Sequence, residues 1–134
     1  MDAVVEIGMM QIGELAERTE LSLRTIRHYD EAGLLKPSGR SEGGFRLYTA
    51  ADLERLLVIR RMKPLGFTLD EMASLLRILD VLQSDVAEAR ASVAADYARF
   101  VGEAEDRRAR LQRQLDMADE FLERLRTVEQ RSAS

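Results

Sequence analysis

Residues 40–48 read Arg-Ser-Glu-Gly-Gly-Phe-Arg-Leu-Tyr, or RSEGGFRLY. The Gly43-Gly44 pair predicts a tight turn, because glycine reaches backbone angles that other residues avoid. The alternation from Phe45 to Tyr48 predicts a short strand, since every second side chain shares a face. Phe45 and Leu47 would then face a core and Arg46 would face away from it. A small hairpin with arginines at tip and stem is the local reading. Its purpose depends on what flanks it.

Upstream, Ile12, Leu15 and Ala16 are spaced as one face of a short helix, from about residue 13 to 19. Ser22 is a good N-cap for a second helix, SLRTIRHYDEAG, ending near Gly33. Leu23, Ile26 and Ala32 are expected to face inward, and Arg24, Thr25, Arg27 and His28 outward. Two short helices joined by a tight turn form a helix-turn-helix, whose second helix is shaped for the DNA major groove. Downstream, Thr49 with Asp52 reads as a capping box that opens a third helix bearing Leu53, Leu56, Leu57 and Ile59. Pro64 and Gly66 end it. Thr68 with Glu71 is a second capping box, opening a fourth helix with Met72, Leu75, Leu76 and Leu79. A helix-turn-helix followed at once by a hairpin is a winged helix, and RSEGGFRLY is its wing. Wing contacts to phosphate need donors, and Arg40, Ser41, the Gly43 and Gly44 amides, Arg46 and Tyr48 supply them.

Asp85 with Glu88 marks a further helix start, and from Val86 to about Val128 the sequence has no proline and a single glycine, Gly102. Ala94, Tyr97, Val101, Ala104, Leu111, Leu115, Ala118, Leu122 and Leu125 recur three and four residues apart. Arg108 is the one charged residue in this seam. The pattern is a coiled-coil heptad. A helix of about 43 residues is about 65 Å long, more than a domain of some 70 residues can cover. A second copy of the chain is expected to supply the missing surface. The alanine-rich first half and leucine-rich second half favour an antiparallel pair. The expected fold is therefore mainly α. A flexible extension over 1–9 precedes a winged helix-turn-helix DNA-binding domain over 10–82, with four helices and a small β-hairpin wing. A dimerisation coiled-coil helix over 85–128 and a flexible tail over 129–134 follow. Met9 and Met10 are alternative starts.

Composition limits the function classes. The chain has 134 residues, 33% of them charged and 46% apolar, too apolar for disorder and too charged for a membrane protein. The start, MDAVVEIG, lacks a basic region, so no secretory signal is expected. Without cysteine there are no disulfides, thiolate metal sites or thiol sensors. A cytoplasmic address fits. The net charge of −4 is uneven. Residues 10–67 hold 10 Lys+Arg against 8 Asp+Glu, whereas residues 68–134 hold 10 against 14. The mildly basic part is the one with the wing. His28 is the single histidine, so it has no partner for metal binding. With no paired carboxylates, glycine-rich phosphate loop or nucleophile triad, no enzyme, metal site or cofactor is expected.

The segments QIGELAERTELSLRTIRHYDEAGLL, RSEGGFRLYTAADLERL and IRRMKPLGFTLDEM, in this order, resemble the DNA-binding domain of the MerR family of transcriptional regulators. The resemblance covers residues 10 to about 80, with the long helix after it in the expected place. It implies homodimers joined by an antiparallel coiled coil. It also implies binding to double-stranded DNA at a pseudo-palindromic operator inside an overlong promoter spacer. Bending and untwisting that spacer would bring both promoter elements into register for RNA polymerase. By motif position, Ser22, Arg24, Thr25, Arg27, His28 and Tyr29 would line the groove. Arg40, Ser41, Gly44, Phe45, Arg46 and Tyr48 would form the wing contacts. Arg60, Lys63, Phe67 and Thr68 would meet the flanking backbone.

The sequence departs from the family pattern in four ways, one of them the extension from Met1 to Gly8 ahead of the usual start. Glu20 stands where the turn between the first two helices usually has glycine; a left-handed backbone there would cost about 1 kcal/mol. Glu20→Gly is therefore expected to raise stability without changing DNA affinity. His28 occupies a position that is often tyrosine. The cysteines or extra domain that serve as sensors in the family are not expected here, so an effector stays open. An architectural, excisionase-like recombination factor and a coiled-coil protein-interaction module are the alternatives that share some of these features.

Overall fold

The computed structural model describes residues 8–133. The chain divides into two units, the first up to Asp85 and the second from Val86 on. In the first unit the order is β1 (Met9–Gln11), α1 (Ile12–Thr19), α2 (Leu23–Glu31), β2 (Gly39–Arg40), β3 (Arg46–Thr49), α3 (Ala50–Met62), a 3-10 turn (Lys63–Leu65) and α4 (Leu69–Leu82). The second unit is one helix, α5 (Ala87–Ala133).

Local chemistry sets the helix ends. The Ser22 side chain accepts from the Thr25 amide at 3.0 Å and caps α2. Thr49 and Asp52 form a reciprocal capping box at α3, as do Thr68 and Glu71 at α4. Each box satisfies two backbone donors that a helix start leaves unpaired. The Thr19 hydroxyl, fully buried, donates back to the Leu15 carbonyl at 2.8 Å. Glu20 ends α1 with φ 57, and its amide donates to the Ala16 carbonyl. Its left-handed backbone has the geometry whose cost the sequence anticipated.

The wing is larger than a hairpin. β1 and β2 both pair antiparallel with β3, in the order β1-β3-β2. Met9 lies opposite Thr49 and Arg40 opposite Arg46. Met9, placed by the sequence in an extension, therefore belongs to the sheet; the remainder of that extension, 1–7, lies outside the described residues. Buried Asp52 joins wing and helix, its Oδ2 accepting from the Ser38 hydroxyl at 2.6 Å and from the Thr49 amide at 2.8 Å. Two hydrogen bonds repay part of the cost of burying a carboxylate.

The core joins all of these elements. Leu15, Ile26, Leu35, Tyr48, Leu56 and Ile59 are fully or almost fully buried. On α2 the buried stripe runs through Ile26 and Tyr29, three residues apart on one face. Leu23 and Ala32, expected inward, are exposed, because Tyr29 continues the stripe and the helix stops at Glu31. Arg55 and Asp80 pair at 2.6 Å between α3 and α4.

The 47-residue α5 is about 70 Å long at 1.5 Å per residue. It has no buried residue. Residues 129–133, expected as a tail, continue the helix, since no glycine or proline stops it there.

Candidate nucleic-acid interface

The exposed face of α2 carries Arg24, Arg27 and His28, opposite Ile26 and Tyr29. Glu31 lies four residues after Arg27, on the same face. A carboxylate can accept from a cytosine amine, as arginine can donate to guanine. The sequence reading missed Glu31, although helical spacing from Arg24 and Arg27 would have found it.

The wing turn is braced by its own side chains. Arg40 Nη1 donates to the Gly44 carbonyl at 3.0 Å. The Gly44 amide donates to the Ser41 carbonyl at 2.9 Å, and the Phe45 amide to the Ser41 hydroxyl at 3.2 Å. Gly44 sits at φ 80, where a side chain is strained. Phe45 is 62% exposed. It was expected to share the core face of Leu47, but it precedes β3 in the turn, so strand alternation does not reach it. Between α2 and the wing lies an open cleft of about 310 Å³, lined by Gln11, Ile12, Arg27, Glu31, Arg40, Gly44, Phe45 and Arg46. Three arginines on one concave surface offer donors of the kind that suit phosphate oxygens, beside the Glu31 carboxylate. Gln11 had no signal in the sequence; its place follows from its pairing with Leu47.

Arg46 has a second partner. Its Nη1 lies 3.0 Å from Asp30 Oδ2 on α2. Asp30 is mostly covered, so the ion pair ties the wing strand to the last turn of α2. Tyr48 lies beside the pair, fully buried, its hydroxyl without a well-aligned hydrogen bond. Burial raises the Tyr48 pKa, the Asp30 carboxylate adds to the rise and Arg46 opposes it. Burial raises that of Tyr29 as well.

Three residues expected at the DNA surface lie in the core. Tyr29 follows Ile26 on the inward stripe of α2, Tyr48 lies on the central strand β3, and Phe67 closes the chain between the 3-10 turn and α4. Ser22, Arg24, Arg27, His28, Arg40, Gly44, Arg60, Lys63 and Thr68 are exposed, and Thr25, Ser41 and Arg46 are partly so. Arg60, in the last turn of α3, donates through Nη2 to Glu20 Oε2 at 3.5 Å. No group of three His, Cys, Asp or Glu among the described residues could hold a metal. No helix among them is long and apolar enough to cross a membrane.

On α5, the seam residues Tyr97, Val101, Leu111, Leu115, Leu122 and Leu125 are all exposed, as are Ala94, Arg108 and Ala118, with Ala104 half-covered. Met117, Phe121 and Val128, outside the seam as read from the sequence, are exposed as well.

The profile described as MerR HTH family regulatory protein matches residues 10–78. The chain belongs to this family. It is a DNA-binding transcriptional regulator, as its relatives are. The HTH-type transcriptional regulator PA4778 of Pseudomonas aeruginosa is 42% identical over 90 residues, 67% of each chain. The regulator ZntR of Escherichia coli is 47% identical over 70 residues, 52% of this chain and half of its own. Among solved structures, HiNmlR, a MerR family regulator lacking the sensor domain, bound to promoter DNA, aligns with TM-score 0.63 at 28% identity, covering 85% of this chain and 87% of its own. A MerR family regulator from Bacillus cereus aligns with TM-score 0.60 at 31% identity, covering 86% and 75%.

Proposed function

We propose that this MerR-family chain acts as a homodimer, clasped through α5 in an antiparallel coiled coil. Each dimer carries two winged helices to a pseudo-palindromic operator in an overlong promoter spacer. Arg24, Arg27 and His28 read base edges. Arg40, Ser41, Gly44 and Phe45 take the wing backbone. Arg60, Lys63 and Thr68 take the flanking phosphates. Bending and untwisting the spacer then presents the promoter to RNA polymerase. The observation that carries the reading is the pairing of an arginine-lined cleft in one unit with an uncovered leucine seam in the other. Likeness to a regulator that binds promoter DNA without a sensor domain supports DNA binding by these residues alone.

Footprinting on the DNA upstream of its own gene tests the mechanism. A protected region with a hypersensitive centre, inside a spacer longer than usual, is the expected result. Protection with an evenly protected centre would remove the distortion step and leave an ordinary dimeric operator binder.

A further inference from the structure

Glu20 is the one non-glycine residue with positive φ among the described residues. Backbone strain of this kind clusters at functional positions, and the inference runs from the outlier to a role. The side chain that the strained turn holds out is acidic, 78% exposed, and in ion-pair contact with Arg60, which is itself 42% exposed. Arg60 is one of the cations assigned above to flanking phosphates. The same turn leads directly into α2, whose N-terminal amides attract anions. Glu20 therefore holds a cation that a DNA backbone would use, three residues ahead of the start of α2.

We propose that Glu20 is an electrostatic brake on DNA binding. In the free protein its carboxylate engages Arg60. When a phosphate takes Arg60, the pair must open, and the released carboxylate is left beside the polyanion. Both events weaken binding to any DNA, whatever its sequence. The inference rests on the assignment of Arg60 to a phosphate. It also revises the expectation that removing Glu20 leaves affinity unchanged, which assumed a side chain without partners.

The test uses the full chain and a 30-base-pair duplex of random sequence, titrated at several salt concentrations. Glu20→Gln keeps a side chain on the strained backbone and removes only the charge. It is expected to tighten binding about three- to tenfold, the scale of one exposed charge pair plus relief of repulsion. It should also steepen the slope of log affinity on log salt by up to about one. Glu20→Gly should tighten binding equally, with a higher Tm from relief of the strain. Arg60→Gln should weaken binding, and adding Glu20→Gln to it should then tighten binding by a smaller factor than in the wild type, since only the repulsion is left to relieve. Unchanged or weaker binding by Glu20→Gln, with Arg60→Gln still weaker than wild type, overturns the brake and leaves the phosphate assignment standing. If Arg60→Gln binds as wild type does, the phosphate assignment fails and takes the brake with it. Tightening by Glu20→Gly alone would assign the effect to the backbone and also overturn the brake.

Discussion

Leu15, Leu56 and Ile59 in the first unit have no exposed surface, whereas Leu111, Leu115, Leu122 and Leu125 of α5 keep between 42% and 55% of theirs. Both sets are branched aliphatic residues, yet one is covered by its own unit and the other lies bare on a single helix. A lone helix in water gains little from such leucines; most helical stability comes from packing an apolar face. Covering what remains is worth about 1 kcal/mol for each leucine. The first unit meets its needs internally, through a core and capped helices. The second leaves its leucines for another surface to cover, which is why association and the fold of the first unit are expected to fail separately.

The widest separation of the two comes from the seam. Leu115→Asp with Leu122→Asp should convert the protein to monomers at micromolar concentration, read by light scattering. Operator affinity should then fall by about 10²- to 10⁴-fold, the advantage of two linked sites. Far-ultraviolet circular dichroism of the first unit's helices should survive. A variant that stays dimeric would erase the contrast drawn above.

Leu56→Ala attacks the other side of the comparison. It should lower stability by about 2–5 kcal/mol, as core truncations do. Chemical denaturation would show it, with dimer formation by the seam intact. Arg46→Ala should cost about 1–2 kcal/mol, because it strands a mostly covered carboxylate at Asp30; partial exposure of the pair holds the figure down. Asp30→Asn should cost less, since it leaves a solvated guanidinium, and a denaturation series on both variants checks the order. Thr68→Ala removes one arm of a capping box and should cost about 1 kcal/mol.

The smallest effect is in pH. Both Tyr48 and Tyr29 have raised folded-state pKa values, so the folded chain keeps protons that the unfolded chain releases first. Their contribution is complete below the ordinary tyrosine value of about 10 and is lost as pH rises beyond it. Thermal melts between pH 8 and 11 should show stability declining only at the top of the range.

Features legible in the sequence were local ones. Thr49 with Asp52 and Thr68 with Glu71 announce helix starts because both partners sit within one turn. The long helix was readable because its period and its lack of proline need no distant partner. Long-range pairings were not readable. Arg46 meets Asp30 from 16 residues away and Arg60 meets Glu20 from 40, and nothing local signals either. The aromatic residues misled for a related reason: Tyr29 and Tyr48 carry polar tips that suit DNA, but helix phase and a central strand turn them inward. β1 escaped notice because three residues are too few for a periodic pattern.

That short strand has a practical consequence. Through β3, β1 shares a sheet with the wing: Met10 lies opposite Tyr48, and Gln11 opposite Leu47. A fluorophore attached on that strand would perturb, or report on, the finger proposed to grip DNA. Labels meant to be silent belong elsewhere, and labels meant to sense DNA engagement have a ready-made place.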